Sequence, residues 1–285
     1  MPYVTVGKEN SGNIELHYDD HGSGKPVVLI HGWPFSGASW ERQVPALVEA
    51  GHRVIAYDRR GFGKSSHPYW GYNYDTFVED LHTLITKLDL HDVTLVGFSM
   101  GGGEVARYIG KHGSERVEKA VLISAITPFL LKTADNPGGL EGDHFEGIRK
   151  QVMADRPAFI AHFLEDFFNL DALHRTSISE QVVQFSWHNA AGASPKGTLD
   201  CISTWAEDFR QDLQRFDVPT LVIHGVADRI LPISATAHRI PQFVKGSRVL
   251  EIAFGPHAIT WTHAEIVNRE LLAFLGDPHR KSQVA

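Results

Sequence analysis

The sequence predicts an α/β fold, with a mostly parallel sheet, helices on both faces and one helical insertion. Three observations carry that reading. Short apolar runs, such as residues 26–30 and 120–123, alternate with amphipathic stretches such as 75–90, which is the rhythm of βαβ units. The runs are continuous rather than alternating, as strands buried on both faces require. The rhythm stops between about residues 128 and 215 and resumes at Pro219. A chain of 285 residues is long enough to bury the core such a fold needs.

Taken in order, Ile14-Glu15-Leu16-His17-Tyr18 alternates and reads as a strand, followed by a turn at 21–25. Residues 26–30 are a buried strand ending in His31-Gly32-Trp33-Pro34. Trp40, Val44, Leu47 and Val48 have helical spacing, so one helix is predicted over 40–50, closed by Gly51. Residues 53–57 are the next strand, and 58–65 a turn-rich loop whose charges read as salt bridges holding it in place. Phe77, Leu81, Leu84, Ile85 and Leu88 predict an amphipathic helix over 75–90. A strand at 93–96, a helix over 102–112 and a strand at 120–123 follow. Residues 128–215 are helical in pattern and rich in aromatics, and read as a cap inserted into a core formed by 1–127 and 216–285. Strands at 219–225 and 248–252 and a helix over about 263–275 complete the core, with a polar, frayed tail after Gly276.

Composition narrows the function. A net charge of −7 argues against nucleic acid and anionic membrane surfaces as partners. No window of about 18 apolar residues suggests a membrane span, and the N-terminus does not read as a signal peptide, so a cytoplasmic location is expected. A single cysteine, Cys201, rules out an internal disulfide. The 17 histidines are scattered without metal-ligand spacing, so a metal site is not expected.

Between the strand at 93–96 and the helix that follows stands Gly97-Phe98-Ser99-Met100-Gly101. A G-x-S-x-G in that context is a nucleophile elbow: a sharp turn lifts the serine hydroxyl above the sheet, and small flanking residues let strand and helix approach closely. A hydroxyl is a weak nucleophile and needs a base, which needs an orienting acid. The chain order serine, acid, histidine then selects Asp228, three residues after the strand at 219–225, and His257, after the last strand. Both sit at carboxyl ends of parallel strands, where open sheets build their sites. The plainer readings are a Gly-rich turn for Ser99, a helix cap near Ser234 for Asp228, and a surface histidine with His263 as rival for His257. Oxyanion stabilisation needs two amides; the candidates are the backbone N–H groups of Met100 and Trp33.

These blocks, with Tyr57-Asp58-Arg59-Arg60-Gly61-Phe62-Gly63-Lys64-Ser65, Gly71-Tyr72-Asn73-Tyr74-Asp75-Thr76-Phe77 and Trp261-Thr262-His263-Ala264-Glu265, resemble the α/β-hydrolases. More narrowly, the chain is similar to the cofactor-free bacterial haloperoxidases (perhydrolases) and their aryl esterase and γ-lactamase relatives. The resemblance implies an eight-stranded sheet and carries the family's triad onto Ser99, Asp228 and His257. It maps the substrate pocket to Trp33, Pro34, Ile126, Phe129, Phe159, Phe163 and Ile230. Pro34 points to the perhydrolase side and Gly102 to the esterase side, so the two cues disagree. His257 is followed by Ala258 where the family usually shows glycine.

The expected reaction is acyl transfer through an acyl-serine. The partners would be a small-molecule ester or carboxylic acid together with water, or with hydrogen peroxide to give a peracid that oxidises halide off the enzyme. Activity should fall as pH drops through about 6–7, where a free imidazole protonates. A γ-lactamase or lactonase is the near alternative, and a non-catalytic ligand receptor on a hydrolase fold the distant one. The resemblance also implies a homo-oligomer.

Overall fold

In the computed structural model, which describes residues 2–173 and 178–276, eight strands form one sheet. They are β1 (Tyr3–Glu9), β2 (Gly12–His21), β3 (Pro26–Ile30), β4 (Arg53–Tyr57), β5 (Val93–Phe98), β6 (Val117–Ile123), β7 (Thr220–Gly225) and β8 (Arg248–Ile252). Their order across the sheet is β1-β2-β4-β3-β5-β6-β7-β8. β2 pairs antiparallel with both β1 and β4, and the pairs from β4 to β8 are parallel.

The two-residue period of a strand sends alternate side chains to opposite faces. Val28 and Ile30 of β3 join one apolar cluster, Val27 and Leu29 the other. Helices α2 (Tyr74–Lys87) and α3 (Met100–His112) pack on the first face through Phe77, Leu81, Leu84, Val105 and Ile109. Helices α1 (Val44–Glu49) and α10 (Ala264–Leu275) cover the second through Leu47, Val267 and Leu271. A short helix α9 (Ile259–Thr262) precedes α10.

Between β6 and β7 run α4 (Gly142–Phe168), α5 (Leu170–Leu173), α6 (Glu180–Ala191), α7 (Pro195–Thr204) and α8 (Arg210–Leu213). α4 is broken at Asp155, whose backbone is non-helical and whose carboxylate accepts the Ala158 N–H at 2.9 Å. That is the geometry of an N-cap, with Pro157 just inside the restarted helix. The second half therefore begins afresh and turns Phe159, Phe163 and Phe167, each four residues apart, onto one face.

Two expectations are corrected. The sequence does not single out β1, because only Val4 of its alternating residues is buried. The single helix over 40–50 is two pieces: a 3₁₀ turn, Gly37–Trp40, capped by Ser36, and then α1. The cause is Pro45, which fits the first turn of a helix but would clash with the carbonyl four residues back if the helix ran through it. The polar tail after Gly276 lies outside the described residues. Among the described residues no helix is long and apolar enough to cross a membrane.

Candidate active site

The turn from β5 to α3 places Ser99 in a backbone conformation that side chains rarely adopt, φ 55° and ψ −118°. Neighbouring chain holds it there. The Ser99 N–H donates to the Ile123 carbonyl at 2.9 Å, and the Ser99 carbonyl accepts from Gly102 and Ile126 at 3.0 and 3.1 Å. The flanking glycines are required by contact. A Cβ on Gly97 would strike the Gly101 carbonyl, and one on Gly101 would strike the Ile30 carbonyl.

The fold brings Ser99, His257 and Asp228 into one hydrogen-bonded line. His257 Nε2 lies 2.9 Å from Ser99 Oγ, and His257 Nδ1 lies 2.7 Å from Asp228 Oδ2. A carboxylate only accepts, so Nδ1 carries the proton and the lone pair of Nε2 faces the hydroxyl. Asp228 Oδ1 accepts the Ile230 and Leu231 N–H groups at 2.9 and 2.8 Å. Oδ2 also lies 3.1 Å from His224 Nε2. Burial works to raise the Asp228 pKa, but contacts with His257 and His224 outweigh it and hold the carboxyl well below the usual range. The Phe98 and Phe167 rings flank the His257 imidazole at 5.2 and 5.4 Å between centroids. His263 stands apart, with Nδ1 2.8 Å from the Thr262 hydroxyl.

A cavity of about 250 Å³ opens on Ser99. Its apolar lining includes Trp33, Met100, Ile126, Phe159, Phe163, Trp205 and Ile230, and His144, Gln151, His162, Asp166 and Arg229 contribute polar groups. The Trp33 indole is fixed by donating to the Thr198 carbonyl at 3.0 Å and by edge contacts with Phe163 and Trp205. Two expected pocket residues do not line the cavity. Pro34 is buried in the loop after β3. Phe129 turns its ring under the Arg210 guanidinium, 4.8 Å away, while its carbonyl is anchored by Asn136.

Met100 is the first residue of α3, and its N–H has no intrahelical acceptor. The Trp33 N–H likewise has no backbone acceptor among the described residues. The loop after β4 is held by buried ion pairs: Arg59 to Glu104 and Arg60 to Asp80, both at 2.6 Å. Burial pushes the Asp80 carboxyl up to about 6 against the opposing pull of Arg60. Among the described residues no group of three or more His, Cys, Asp or Glu gathers as a metal set.

Sequence reasoning passed over His224, Phe167 and Trp205. A signal existed for two of them. Phe167 continues the four-residue spacing of Phe159 and Phe163, and Trp205 belongs to the same aromatic-rich stretch. His224 looks like any residue of a buried strand.

An eight-stranded, mostly parallel sheet with a strained serine at a strand-to-helix turn and a histidine and aspartate from later loops defines a class. The chain belongs to the α/β-hydrolase fold family, whose model matches residues 25–264, and it is an enzyme. Its relatives are more particular. A Synechocystis protein provisionally named a non-heme chloroperoxidase is 60% identical over 275 residues, covering 96% of this chain and all of that one. A bifunctional esterase/perhydrolase of Acinetobacter calcoaceticus is 32% identical over 278 residues, 96% of this chain and 99% of its own length. The crystal structure of a bromoperoxidase from Bacillus anthracis superposes with a TM-score of 0.92 at 51% identity, covering 96% of this chain and 99% of that one.

Proposed function

We propose that this enzyme is a serine esterase and perhydrolase of the non-heme haloperoxidase type, acting on small carboxylic esters and acids. Ser99 attacks the carbonyl carbon while His257 takes its proton, and Asp228 holds the imidazole and stabilises its cationic form. The Trp33 and Met100 amides receive the developing oxyanion, a contribution of about 10²–10³ in kcat for each donor. His257 returns the proton to the leaving group, leaving an acyl-serine. Water then releases the acid, or hydrogen peroxide releases a peracid, as His257 takes the proton of the attacking water or peroxide and returns it to Ser99 Oγ. Free peracid oxidises bromide or chloride in solution. On this reading residues 128–215 are the cap over the pocket.

One observation carries the proposal. Ser99 Oγ sits 2.9 Å from His257 Nε2 on the wall of an apolar cavity of about 250 Å³. That volume lies below the usual range for ligand pockets, about 300–1,000 Å³, and favours short acyl groups. The test compares peracid formation from acetate and hydrogen peroxide with hydrolysis of a short aryl acetate, for wild type and Ser99→Ala. Both activities are expected in wild type and neither in the variant. Hydrolysis without peracid would make the enzyme an esterase or lactonase. No turnover on a range of short esters would overturn the proposed substrate class.

A further inference from the structure

The proposed reaction uses the N–H of the peptide joining Gly32 to Trp33, and the opposite edge of that peptide is doubly anchored. The bond is trans, since the cis bonds are Trp33–Pro34 and Thr127–Pro128. In a planar trans peptide the carbonyl and the N–H point in opposite directions. Whatever fixes the Gly32 carbonyl therefore aims the Trp33 N–H. Two groups reach that oxygen: the Phe35 N–H at 3.1 Å and His31 Nδ1 at 2.8 Å. The peptide also stands beside the nucleophile, because a Cβ built on Gly32 would come within 3.0 Å of the Ser99 Cβ.

The tautomer of His31 follows from its partners. The Arg59 backbone N–H lies 3.0 Å from His31 Nε2, and an amide nitrogen can only donate. Nε2 is therefore the acceptor, and in a neutral ring the proton is on Nδ1, where it donates to Gly32. Burial first, and the Arg59 charge second, hold the His31 pKa well below its ordinary value, so the ring is neutral. Arg59 NH1 approaches Nδ1 only at a long 3.4 Å. The Arg59 side chain completes the brace. Its NH2 donates to the His31 carbonyl at 2.9 Å and its Nε to Glu104 at 2.6 Å. Glu104 belongs to α3, one turn beyond Met100, and accepts a further hydrogen bond from the Tyr57 hydroxyl. The two amides thus belong to one rigid assembly, with His31 at the Trp33 end.

We propose that His31 is the positioning residue of the oxyanion hole: its Nδ1–H pins the Gly32 carbonyl and turns the Trp33 N–H toward Ser99. This rests on the serine-hydrolase reading above. The test uses two variants that divide the imidazole. Asn at 31 offers an amide N–H near the place of Nδ1, and Gln offers one near Nε2. For hydrolysis of a short aryl acetate, His31→Gln is expected to lose about 10²-fold in kcat with KM nearly unchanged, as loss of an oxyanion donor does. His31→Asn is expected to recover most of that loss. Equal kcat losses in both variants, or a His31→Gln enzyme within about threefold of wild type, would overturn the proposal. A second measurement does not depend on either variant folding. Nitrogen-15 NMR of the wild-type ring should show a neutral, Nδ1-protonated tautomer at pH 7, and a charged or Nε2-protonated ring refutes the assignment. Ser99→Ala run alongside separates the two claims: if it keeps activity, the serine mechanism fails, whereas loss there with an indifferent His31→Gln sinks only the role of His31.

Discussion

On the sheet side of the cavity the geometry is made by backbone. Ser99 is held at positive φ by three main-chain hydrogen bonds, Gly97 and Gly101 leave no room for a Cβ, and the Trp33 and Met100 amides have no competing backbone acceptor among the described residues. On the helical side it is made by side-chain bulk. Phe159 and Phe163 from α4 and Trp205 at the end of α7 close around the Trp33 indole, and none of the three is fully buried. The sheet side is braced by buried charges, Arg59 with Glu104 and Arg60 with Asp80. The contrast assigns tasks. A main-chain site has few ways to relax, so changes there should act on rate or folding. A wall of half-buried rings can be reshaped, so changes there should act on which acyl group fits.

The largest expected effect is on the sheet side. Ser99→Ala should lower kcat for a short aryl ester by about 10⁴-fold or more while the protein keeps its melting temperature. A smaller loss would mean that the strained serine is not the nucleophile. Breaking the brace should also appear in stability. Glu104→Gln leaves Arg59 buried without its partner, and removing one member of a buried pair costs about 3–5 kcal/mol, readable by urea denaturation. An unchanged midpoint would show that the brace is dispensable.

The acid of the line gives a pH signature. The folded pKa of Asp228 is depressed, so its stabilising contribution is present above the unfolded value of about 3.9 and is lost as pH falls through the folded value. Wild type should therefore exceed Asp228→Asn in melting temperature at pH 6, with the gap closing below about pH 4. A gap independent of pH would contradict the depression.

The helical side should respond more gently. Phe163→Ala should widen the cavity and raise kcat/KM for hexanoyl relative to acetyl esters by about tenfold, at a stability cost of about 1–2 kcal/mol because the ring is only half-buried. A uniform loss across chain lengths would mean that the ring supports the sheet side as well. The smallest effect is expected where the two sides are tied at the surface. Arg229, next to Asp228, pairs with Asp171 of α5 at 2.9 Å and Asp166 of α4 at 3.6 Å, all solvent-exposed. Arg229→Ala should leave the urea midpoint unchanged, and a measurable loss would make that tie structural.

The same contrast explains what could be read from the chain. The elbow, the order of Ser99, Asp228 and His257, and the buried strands were legible because each depends on local chemistry: a turn that admits only glycine, an apolar run, a motif at a strand end. Pro34 and Phe129 were assigned to the pocket and do not line it, because the direction of a side chain depends on partners such as Arg210, which lies far along the sequence from Phe129. Trp205, Leu130, Leu140 and Ile148 line the cavity unannounced, since an apolar residue in a helix or a loop does not itself say what it faces.

By itself the sequence determined the fold class, the turn that carries Ser99 and the choice of Asp228 and His257 as the residues to stand in line with it. These leave local marks in the chain: continuous apolar runs, a glycine-flanked serine between a strand and a helix, and an acid and a histidine after later strands. Only the tertiary structure decided which aromatics wall the cavity, that His224 shares Asp228, and that Glu104 of α3 reaches Arg59 and through it His31. Arg59 lies 28 positions from His31 and 45 from Glu104, and His224 meets Asp228, only four residues on, because the chain turns back after β7; packing in three dimensions creates these contacts.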